Sequence, residues 1–565
     1  MSFEELQKII SPKFTQEVVR NIADKVSGLS ETELQITNIE DTFSKNGDAY
    51  LSQICRFGVN VKGKNQSGEE EIVFIPIIVK YLPKNVARRK TYRSTVFFEN
   101  ESIFYEKVWT AFKNFYKSKE IQDKFDNIPL VLSIWIDGSD DYVAMLDVSY
   151  QGYKNVDRES GLDYDHTVAI LKLLAGFHSL SLAFKDQQPD LFEKAASSLK
   201  ETYFDEKYRT WYARFQERLF VVARDAVGKE LPPVYLEKLN KFISIDLFGE
   251  MCKSCQGRGP FAVVTHGDVW VPNFLIKYNG TTPERIILID FQLSRYASLS
   301  NDLIFFLYSC VDIDLIEKHW DDFIIEYHQA LTKNLEKYGS DRNLATLEAL
   351  QAELRTGMVF GVGASIEALI MSLLSDEDIG DLNEIEGEDA VPVETVWLVH
   401  PFKEQKKRER FAKMIKHAKT ISPKFTEQTL FDIVNKKSGL SDVKVNKIET
   451  GASSKKGDSY LSNVCRFIIE ATGKNSVILS SWIDGSNDYI AMLDVSYEGY
   501  GSADRGDESL VMSLLEDDEV SDLDAIQGVD AVPLETVWIV HPFKEQNKRK
   551  RIANMIKFAV DKNFI

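Results

Sequence analysis

The sequence repeats itself once, and this repeat limits the architectures that the chain can adopt. Three stretches return almost unchanged further along the chain: 47–57 at 457–467, 135–153 at 482–500, and 389–408 at 530–549. The distance between the copies shortens from about 410 residues to 347 and then to 141, so the second copy lacks two internal blocks. A period this long excludes a solenoid of short repeats. The pattern predicts one complete unit followed by an abridged copy of it.

The repeat also indicates where the domains divide. A chain of 565 residues is several times the usual length of one domain. We expect one part at 1–140, a second at 141–415 and the abridged copy at 416–565. The copy has no counterpart of "THGDVWVPNF" at 265–274 or of "ILIDFQ" at 287–292. Any chemistry that depends on those motifs is therefore confined to the complete unit.

Within the complete unit, apolar periodicity separates a β-rich part from a helical part. Runs rich in β-branched and aromatic residues, such as "AYLSQICRFGVNVKG" and "EEIVFIPIIVKYLP", predict consecutive antiparallel strands. A 3.6-residue apolar period from about Ser94 to Lys117 predicts one helix beside them. After Gly161 the pattern is largely helical, although "FAVVTHGD" and "RIILIDF" predict two short strands. We therefore expect an α+β protein with a β-rich N-terminal lobe and a mostly helical C-terminal lobe.

The net charge and the cysteine content indicate which partners and which cellular compartment to expect. The chain has 68 basic and 87 acidic residues, and its net charge of −19 repels nucleic-acid phosphates and anionic lipids. Its five cysteines are scattered rather than arranged as a disulfide framework. The start lacks a basic segment followed by an apolar stretch, and no run has the composition of a membrane span. We expect a cytoplasmic protein without a nucleic-acid partner or a membrane span, and its oligomeric state is left open.

Two acids and an amide follow the two short strands of the helical part. Asp268 and Asn273 lie in "HGDVWVPN", and Asp290 ends the apolar run "RIILID". Phosphoryl transfer from a nucleotide needs a base near the acceptor hydroxyl and oxygen ligands for Mg²⁺. Asp268 suits the base, whereas Asn273 and Asp290 suit the metal. His266 is interpreted as a residue that supports this loop through hydrogen bonds.

A nucleotide also needs a cation on its phosphates, and Lys80 is the candidate. It lies in the apolar strand "IPIIVKY", where a lysine must face outward or pair with an anion. Glu101, in the following helix, is the expected partner, and Glu106 is the alternative on another part of the helix surface. The turn "SKNGD", with Asn46 and Gly47, is predicted to bring backbone N–H groups to the phosphates.

The order of these motifs resembles the ecdysteroid kinase-like family of small-molecule kinases, relatives of choline and aminoglycoside kinases. The resemblance rests on "IIVKYLP", "FENESIFYEKV", "HGDVWVPN" and "LIDFQLSRYASLSNDLIFFL", and it extends from about residue 10 to 415. It implies a bilobal protein-kinase-like fold, followed here by a truncated partial repeat. It also implies ATP- and Mg²⁺-dependent phosphorylation of a hydroxyl group on a small, apolar metabolite, with ecdysteroid-like sterols as the leading acceptor class.

The resemblance implies a role for each of these residues. Asp268 matches the catalytic aspartate. Asn273 and Asp290 match the metal ligands, and Asn273 is counted among the catalytic residues as well. Lys80 matches the phosphate-binding lysine, and Glu101 matches its partner.

Two further positions follow from the resemblance. Asp302 matches an aspartate that comes after the second metal motif, and we interpret it as structural. The family shows an acidic pair in "LEDL" at the hinge between the lobes, whereas this chain has "MLDV", with Leu146 in place of the glutamate. This departure predicts an altered nucleotide affinity rather than loss of activity.

The sequence also allows a second function. The fold would then sequester a ligand without catalysis, as a pseudokinase, and the abridged copy would be an interaction module. The full set of site residues in the complete unit favours the active enzyme. The copy at 416–565 has no counterpart of Lys80 or of "HGDVWVPN", so we expect it to be a catalytically silent, β-rich remnant.

Overall fold

The computed structural model describes most of the complete unit and little of the copy. It describes residues 2–38, 52–119, 121, 124–156, 161–373, 385, 387–396 and 399–420, and the backbone of four short strands further on. The chain divides into two compact units, Met1–Pro423 and Lys424–Ile565. The predicted boundary at residue 415 falls inside the last helix of the first unit, Gln405–Thr420.

The small lobe is a five-stranded antiparallel sheet with two helices on one face. Its strands are β1 (Ser30–Asn38), β2 (Gln53–Lys64), β3 (Glu70–Tyr81), β4 (Val131–Trp135) and β5 (Tyr142–Leu146), in the order β1-β2-β3-β5-β4. Alternate residues of β2 and β3, such as Phe57 and Ile77, are buried with α1 (Phe3–Ile9) and α2 (Gln16–Ser27). Because β5 pairs with both β3 and β4, the small lobe extends beyond the predicted boundary at residue 140.

A long helical segment connects the sheet to the core of the large lobe. It comprises α3 (Val86–Thr91), α4 (Ser94–Ile103), a π-helical turn (Phe104–Val108) and α5 (Trp109–Ser118). The apolar side of this segment packs on the large lobe, where Phe104 and Phe112 contact Phe177. The bounds of α4 to α5 agree with the helix that the apolar period predicts.

The large lobe is mostly helical. Its helices are α6 (Tyr164–Gln187), α7 (Pro189–Ala196), α8 (Arg209–Glu230), α9 (Pro233–Ser244), α10 (Leu247–Ser254), α11 (Leu299–Cys310), α12 (Ile313–Lys337), α13 (Leu347–Leu373) and α14 (Gln405–Thr420). The β-rich small lobe and this helical lobe confirm the predicted α+β organisation.

Two of the described helical segments are long and apolar enough to cross a membrane, Tyr164–Gln187 and Arg342–Leu373. In the fold, 83% and 78% of their apolar windows are buried. Both segments belong to the core of the large lobe, and burial there is sufficient reason for their composition.

Two short hairpin-like pairs lie between the helices of the large lobe and carry the motif residues. They are β6 (Ala262–Thr265) with β9 (Arg295–Ser298), and β7 (Phe274–Asn279) with β8 (Thr282–Leu288). The two strands expected at "FAVVTHGD" and "RIILIDF" are therefore present as β6 and β8. Asp268 follows β6, and Asp290 follows β8.

In the second unit, the described backbone forms two antiparallel pairs. They are β10 (Ile448–Thr450) with β11 (Phe467–Ile469), and β12 (Ile478–Trp482) with β13 (Tyr489–Met492). In the second pair Trp482 is opposite Tyr489, as Trp135 is opposite Tyr142 in the first unit, and the register shift falls at the corresponding place. The prediction that the whole copy is a β-rich remnant otherwise lies outside the described residues.

Candidate active site

Lys80 joins the two lobes through a cluster of polar contacts. Its ammonium, on β3 of the small lobe, lies 2.8 Å from a carboxylate oxygen of Glu101 on α4. It also lies 2.6 Å from a carboxylate oxygen of Asp290, which follows β8 of the large lobe. Gln292 accepts a third hydrogen bond from it at 3.3 Å. The predicted lysine therefore contacts both its predicted partner and a predicted metal ligand.

The ion pair between Lys80 and Glu101 is buried, and this burial affects the charge state of the lysine. Glu101 is 0% exposed and Lys80 only 6%. Burial by itself lowers the pKa of Lys80, but the nearby carboxylates of Asp290 and Glu101 outweigh it and raise this pKa above its usual range. The ammonium is therefore charged at neutral pH. Glu106, the alternative partner, is exposed on the helix surface and has no such role.

Glu101 is held in place because its helix is fastened to the large lobe. Asn100, fully buried beside it, donates hydrogen bonds from its amide nitrogen to the carbonyl oxygens of Gln292 at 3.1 Å and Ser294 at 2.8 Å. In the π-helical turn, Phe104 stacks on Phe291 with ring centroids 3.8 Å apart. Both contacts reach the segment that directly follows Asp290, so the carboxylates of Glu101 and Asp290 keep a fixed separation around Lys80.

The β7–β8 pair brings Asn273 and Asp290 to the same end of one hairpin. Phe274 lies opposite Leu288, and the N–H of Ile289 donates to the carbonyl oxygen of Asn273 at 3.1 Å. Asp290 follows at once with a φ of 67°, a left-handed backbone conformation that is uncommon for a residue with a Cβ. Strained conformations of this kind concentrate at functional sites. Here the turn directs the Asp290 carboxylate towards Lys80.

Asp268 lies in the same site, five residues before Asn273. The Asn273 amide nitrogen donates to both the carbonyl oxygen and the carboxylate of Asp268, at 2.8 and 3.0 Å. Burial first, and then the negative charge of Asp290, raises the pKa of Asp268 to about 7. A base is most effective when its pKa is close to the working pH. The environment of Asp268 is therefore suited to accepting a proton from a hydroxyl group.

Hydrogen bonds inside the large lobe fix the loop 266–273 that carries Asp268. The buried carboxylate of Asp302 accepts the N–H groups of His266 and Gly267 at 2.7 and 2.9 Å. His266 accepts the N–H of Asp268 at its Nδ1, so its Nε2 is left to donate to the carbonyl oxygen of Ile289 at 2.9 Å. Through these hydrogen bonds, His266 and Asp302 support the loop, as the sequence analysis expects.

Gly267 is required by both conformation and space. Its φ is +82°, and a Cβ at this position would lie 2.0 Å from the carbonyl oxygen of Leu293. We expect Gly267→Ala to lower the free energy of unfolding by about 3 kcal/mol or more and to disrupt the loop. Gly68 has a φ of +80° with nothing within 4 Å of the added Cβ, so Gly68→Ala should cost only about 1 kcal/mol. Equal losses in urea denaturation of the two variants would contradict this steric account.

A cavity of about 380 Å³ lies between the lobes and is lined by Lys80, Glu101, Asp268, Asn273 and Asp290. On its sheet side, the apolar residues Ile54, Ile78 and Met145 line the cavity beside Lys80. Its helical side includes aromatic residues from the large lobe, among them Trp211 and Trp270. Tyr212 is buried and does not line this cavity.

The donor atoms of the site fit a magnesium ion. Because the Asn273 amide nitrogen is bound to Asp268, its amide oxygen points the other way, and Asn273 lines the cavity. Asp290 also lines the cavity and uses one oxygen for Lys80; its other oxygen has no partner in the described part of the chain. The described residues contain no group of three or more His, Cys, Asp or Glu side chains placed to hold a metal ion by themselves. Mg²⁺ is commonly held by one or two carboxylates together with substrate phosphates, and this donor set is of that kind.

Some site residues lie outside the described part of the chain or were missed. Asn46 and Gly47, predicted to contact phosphates, lie outside the described residues. Asn100 and Gln292 were not singled out in the sequence, although a buried amide beside Glu101 in an apolar helix is a detectable signal. His178 is fully buried, and its Nε2 lies 3.2 Å from a carboxylate oxygen of Asp302.

A family model matches this arrangement of motifs directly. The model of the ecdysteroid kinase-like family matches residues 46–340, which is more than half of the chain. The chain belongs to the ecdysteroid kinase-like family. As the resemblance implied, it is a small-molecule phosphotransferase. The comparison with curated proteins gave no match.

The solved structures found by comparison have little sequence identity to this ecdysteroid kinase-like protein. A microcompartment-associated aminopropanol kinase is 13% identical, with 72% of this chain and 97% of that chain covered and a TM-score of 0.33. An ethanolamine kinase from Plasmodium vivax is 13% identical, with 67% and 90% covered and a TM-score of 0.29. A choline kinase from Streptococcus pneumoniae is 14% identical, with 71% and 100% covered and a TM-score of 0.23.

Proposed function

We propose that the protein transfers the γ-phosphoryl group of MgATP to a hydroxyl group of a small, largely apolar metabolite. The observation that carries this proposal is the position of the Lys80 ammonium, which contacts Glu101 of the small lobe and Asp290 of the large lobe at once. A cation held between two lobes, beside a base and two oxygen ligands, is the arrangement that phosphoryl transfer needs.

Each side chain has a separate role in the proposed reaction. Lys80 would hold the phosphates of the nucleotide, and Glu101 keeps its ammonium in place from the buried side. Asn273 and Asp290 would hold Mg²⁺, which when bound supplies positive charge against the phosphate oxygens. Asp268 accepts the proton of the acceptor hydroxyl. Its hydrogen bond from Asn273 leaves one carboxylate oxygen for that purpose.

The acceptor class is inferred from the walls of the cavity. Most of the residues that line the cavity are apolar, and they include aromatic side chains from the large lobe. Such walls suit an apolar skeleton that carries hydroxyl groups. An ecdysteroid-like sterol is therefore the leading acceptor class, in agreement with the family to which the chain belongs.

The geometry favours an active enzyme over a pseudokinase. A silent binding protein has no need to keep Lys80, Asp268 and Asp290 around one cavity, and this chain keeps all three. We also propose that the reaction takes place in the cytoplasm. Among the described residues, Cys252, Cys255 and Cys310 form no disulfide bond, which is in keeping with a reducing compartment.

A screen of the purified full-length chain tests activity and substrate class together. The chain is incubated with MgATP labelled at the γ-phosphate and with hydroxylated sterols or small amino alcohols in parallel. We expect transfer of label to a sterol, and none when the metal is removed with EDTA. Transfer only to amino alcohols would contradict the apolar acceptor, and transfer to no acceptor together with undetectable MgATP binding would contradict the kinase activity itself.

A further inference from the structure

A carboxylate with no catalytic assignment faces the same cavity as Asp268. Glu367 lies on α13, and its two carboxylate oxygens each accept a tyrosine hydroxyl: Tyr203 donates to one at 2.6 Å and Tyr212 to the other at 2.6 Å. Glu367 and Tyr203 both line the cavity. Although it lies deep in the fold, Glu367 is partly exposed because it faces this space.

Glu367 is unusual for its place in the sequence. It is the only charged residue between Arg355 and Asp376, in a helix that otherwise packs in the apolar core. In the described part of the chain, no Lys, Arg or His forms an ion pair with it. Burial raises its pKa, and only the two tyrosine hydrogen bonds act in the opposite direction. A carboxylate in this setting is costly unless further donors satisfy it.

The Glu367 carboxylate can accept more hydrogen bonds than the two from the tyrosines. An ionised carboxylate offers about four lone-pair sites, and Tyr203 and Tyr212 occupy one on each oxygen. The tyrosine contacts fix the orientation of the group while leaving acceptor capacity on the cavity side. Trp211, Trp270 and Phe360 line the same cavity.

We propose that Glu367 binds a second hydrogen-bond donor of the acceptor molecule, a hydroxyl or a protonated amine, while the hydroxyl to be phosphorylated lies at Asp268. The acceptor is then at least bifunctional, with an apolar body between the aromatic walls. This inference rests on the proposed kinase activity for the role of Asp268. Glu367 itself is a positioning residue that sets which acceptor is bound and how it is oriented.

A purely structural role is the competing explanation. In that case Glu367 only ties the segment before α8 and α8 itself to α13 through the two tyrosines. Loss of this tie would lower stability and would weaken all acceptors alike. A binding role instead changes the preference between acceptors that differ in one donor group, which a structural role does not predict.

The test measures that preference with matched acceptors on the full-length chain. One pair is a sterol with two hydroxyl groups and the same sterol with one; the other is a primary amino alcohol and the alkanol of the same length. Binding is followed through the fluorescence of Trp211 and Trp270, and turnover with MgATP is measured separately. We expect the wild type to bind the member with the second donor more tightly, and Glu367→Gln to reduce this preference about tenfold.

Two further variants control for folding and position. Tyr203→Phe removes one of the two orienting hydrogen bonds and should reduce the same preference by a smaller factor. Glu348→Gln changes an exposed glutamate on the same helix, outside the cavity, and should keep the wild-type preference. Thermal unfolding of each variant shows that it is folded.

The outcomes separate this inference from the kinase proposal. If Glu367→Gln reduces the preference within the sterol pair, Glu367 binds a hydroxyl group. If it reduces the preference within the amino alcohol pair, Glu367 binds an ammonium group. An unchanged preference in both Glu367→Gln and Tyr203→Phe, or no preference in the wild type, overturns the inference even when phosphate transfer is observed. A binding preference without any phosphate transfer would support the acceptor site at Glu367 and would contradict the proposed kinase activity.

Discussion

Asp268→Asn should lower phosphate transfer by about 10²- to 10⁴-fold, because the amide cannot accept the proton of the acceptor hydroxyl. The substitution keeps the shape of the side chain, and the backbone contacts of the loop with Asp302 do not involve the Asp268 side chain. The affinity for MgATP should therefore stay close to that of the wild type. Steady-state kinetics and a nucleotide-binding titration on the same protein check the two parts.

The matched control is Asp321→Asn. Asp321 is an exposed aspartate on α12 of the same lobe, and its substitution should change neither transfer nor nucleotide binding. Equal activity of the Asp268 and Asp321 variants would show that Asp268 is not the base. A loss of MgATP binding as large as the loss of turnover in Asp268→Asn would instead show that Asp268 acts in the binding of the nucleotide.

Lys80→Met should abolish transfer and also lower the free energy of unfolding by about 3–5 kcal/mol, because it leaves the buried Glu101 carboxylate without its cation. Replacing both partners, in Lys80→Met with Glu101→Leu, removes the stranded charge. The double variant should therefore recover most of the lost stability while remaining inactive. Chemical denaturation of the two single variants and the double variant gives the coupling energy between the two side chains.

Two controls accompany this cycle. Lys62 and Glu70 form an exposed ion pair on the same sheet, 3.2 Å apart, so Lys62→Met should leave the free energy of unfolding nearly unchanged. Glu106→Gln alters the exposed glutamate on the same helical segment as Glu101 and should leave activity intact. A double variant less stable than either single variant would contradict the view that burial of an unpaired charge causes the loss.

The individual site residues were predictable because each lies in a short local pattern. Lys80 interrupts an apolar strand, and Asp268 and Asp290 each follow one, so strand ends and buried charges identify them without any tertiary information. The helix that carries Glu101 was likewise visible as an apolar period. The predicted roles of Asp268, Asn273 and Asp290 in catalysis and metal binding stay predictions, because the distances show that these groups share one site and not what they do.

The contacts that assemble the site were not predictable in the same way. Asn100 and Gln292 are far apart in the sequence, and their hydrogen bond exists only because a small-lobe helix packs on the segment after Asp290. The partnership of His178 with Asp302 has the same origin. Glu367 is different, since a single charge in a long apolar helix is a signal that the sequence does contain.

We expect Lys80, Asn273 and Asp290 to surround the phosphates and the metal of one MgATP. Diffraction from crystals of the full-length chain with Mn²⁺ and a non-hydrolysable ATP analogue tests it most directly, because Mn²⁺ can replace Mg²⁺ and scatters anomalously. We predict an anomalous peak within bonding distance of Asn273 and Asp290, with a phosphate oxygen on the Lys80 ammonium. A nucleotide bound elsewhere, or a metal held by other residues while Lys80 keeps only its carboxylate partners, would contradict the account.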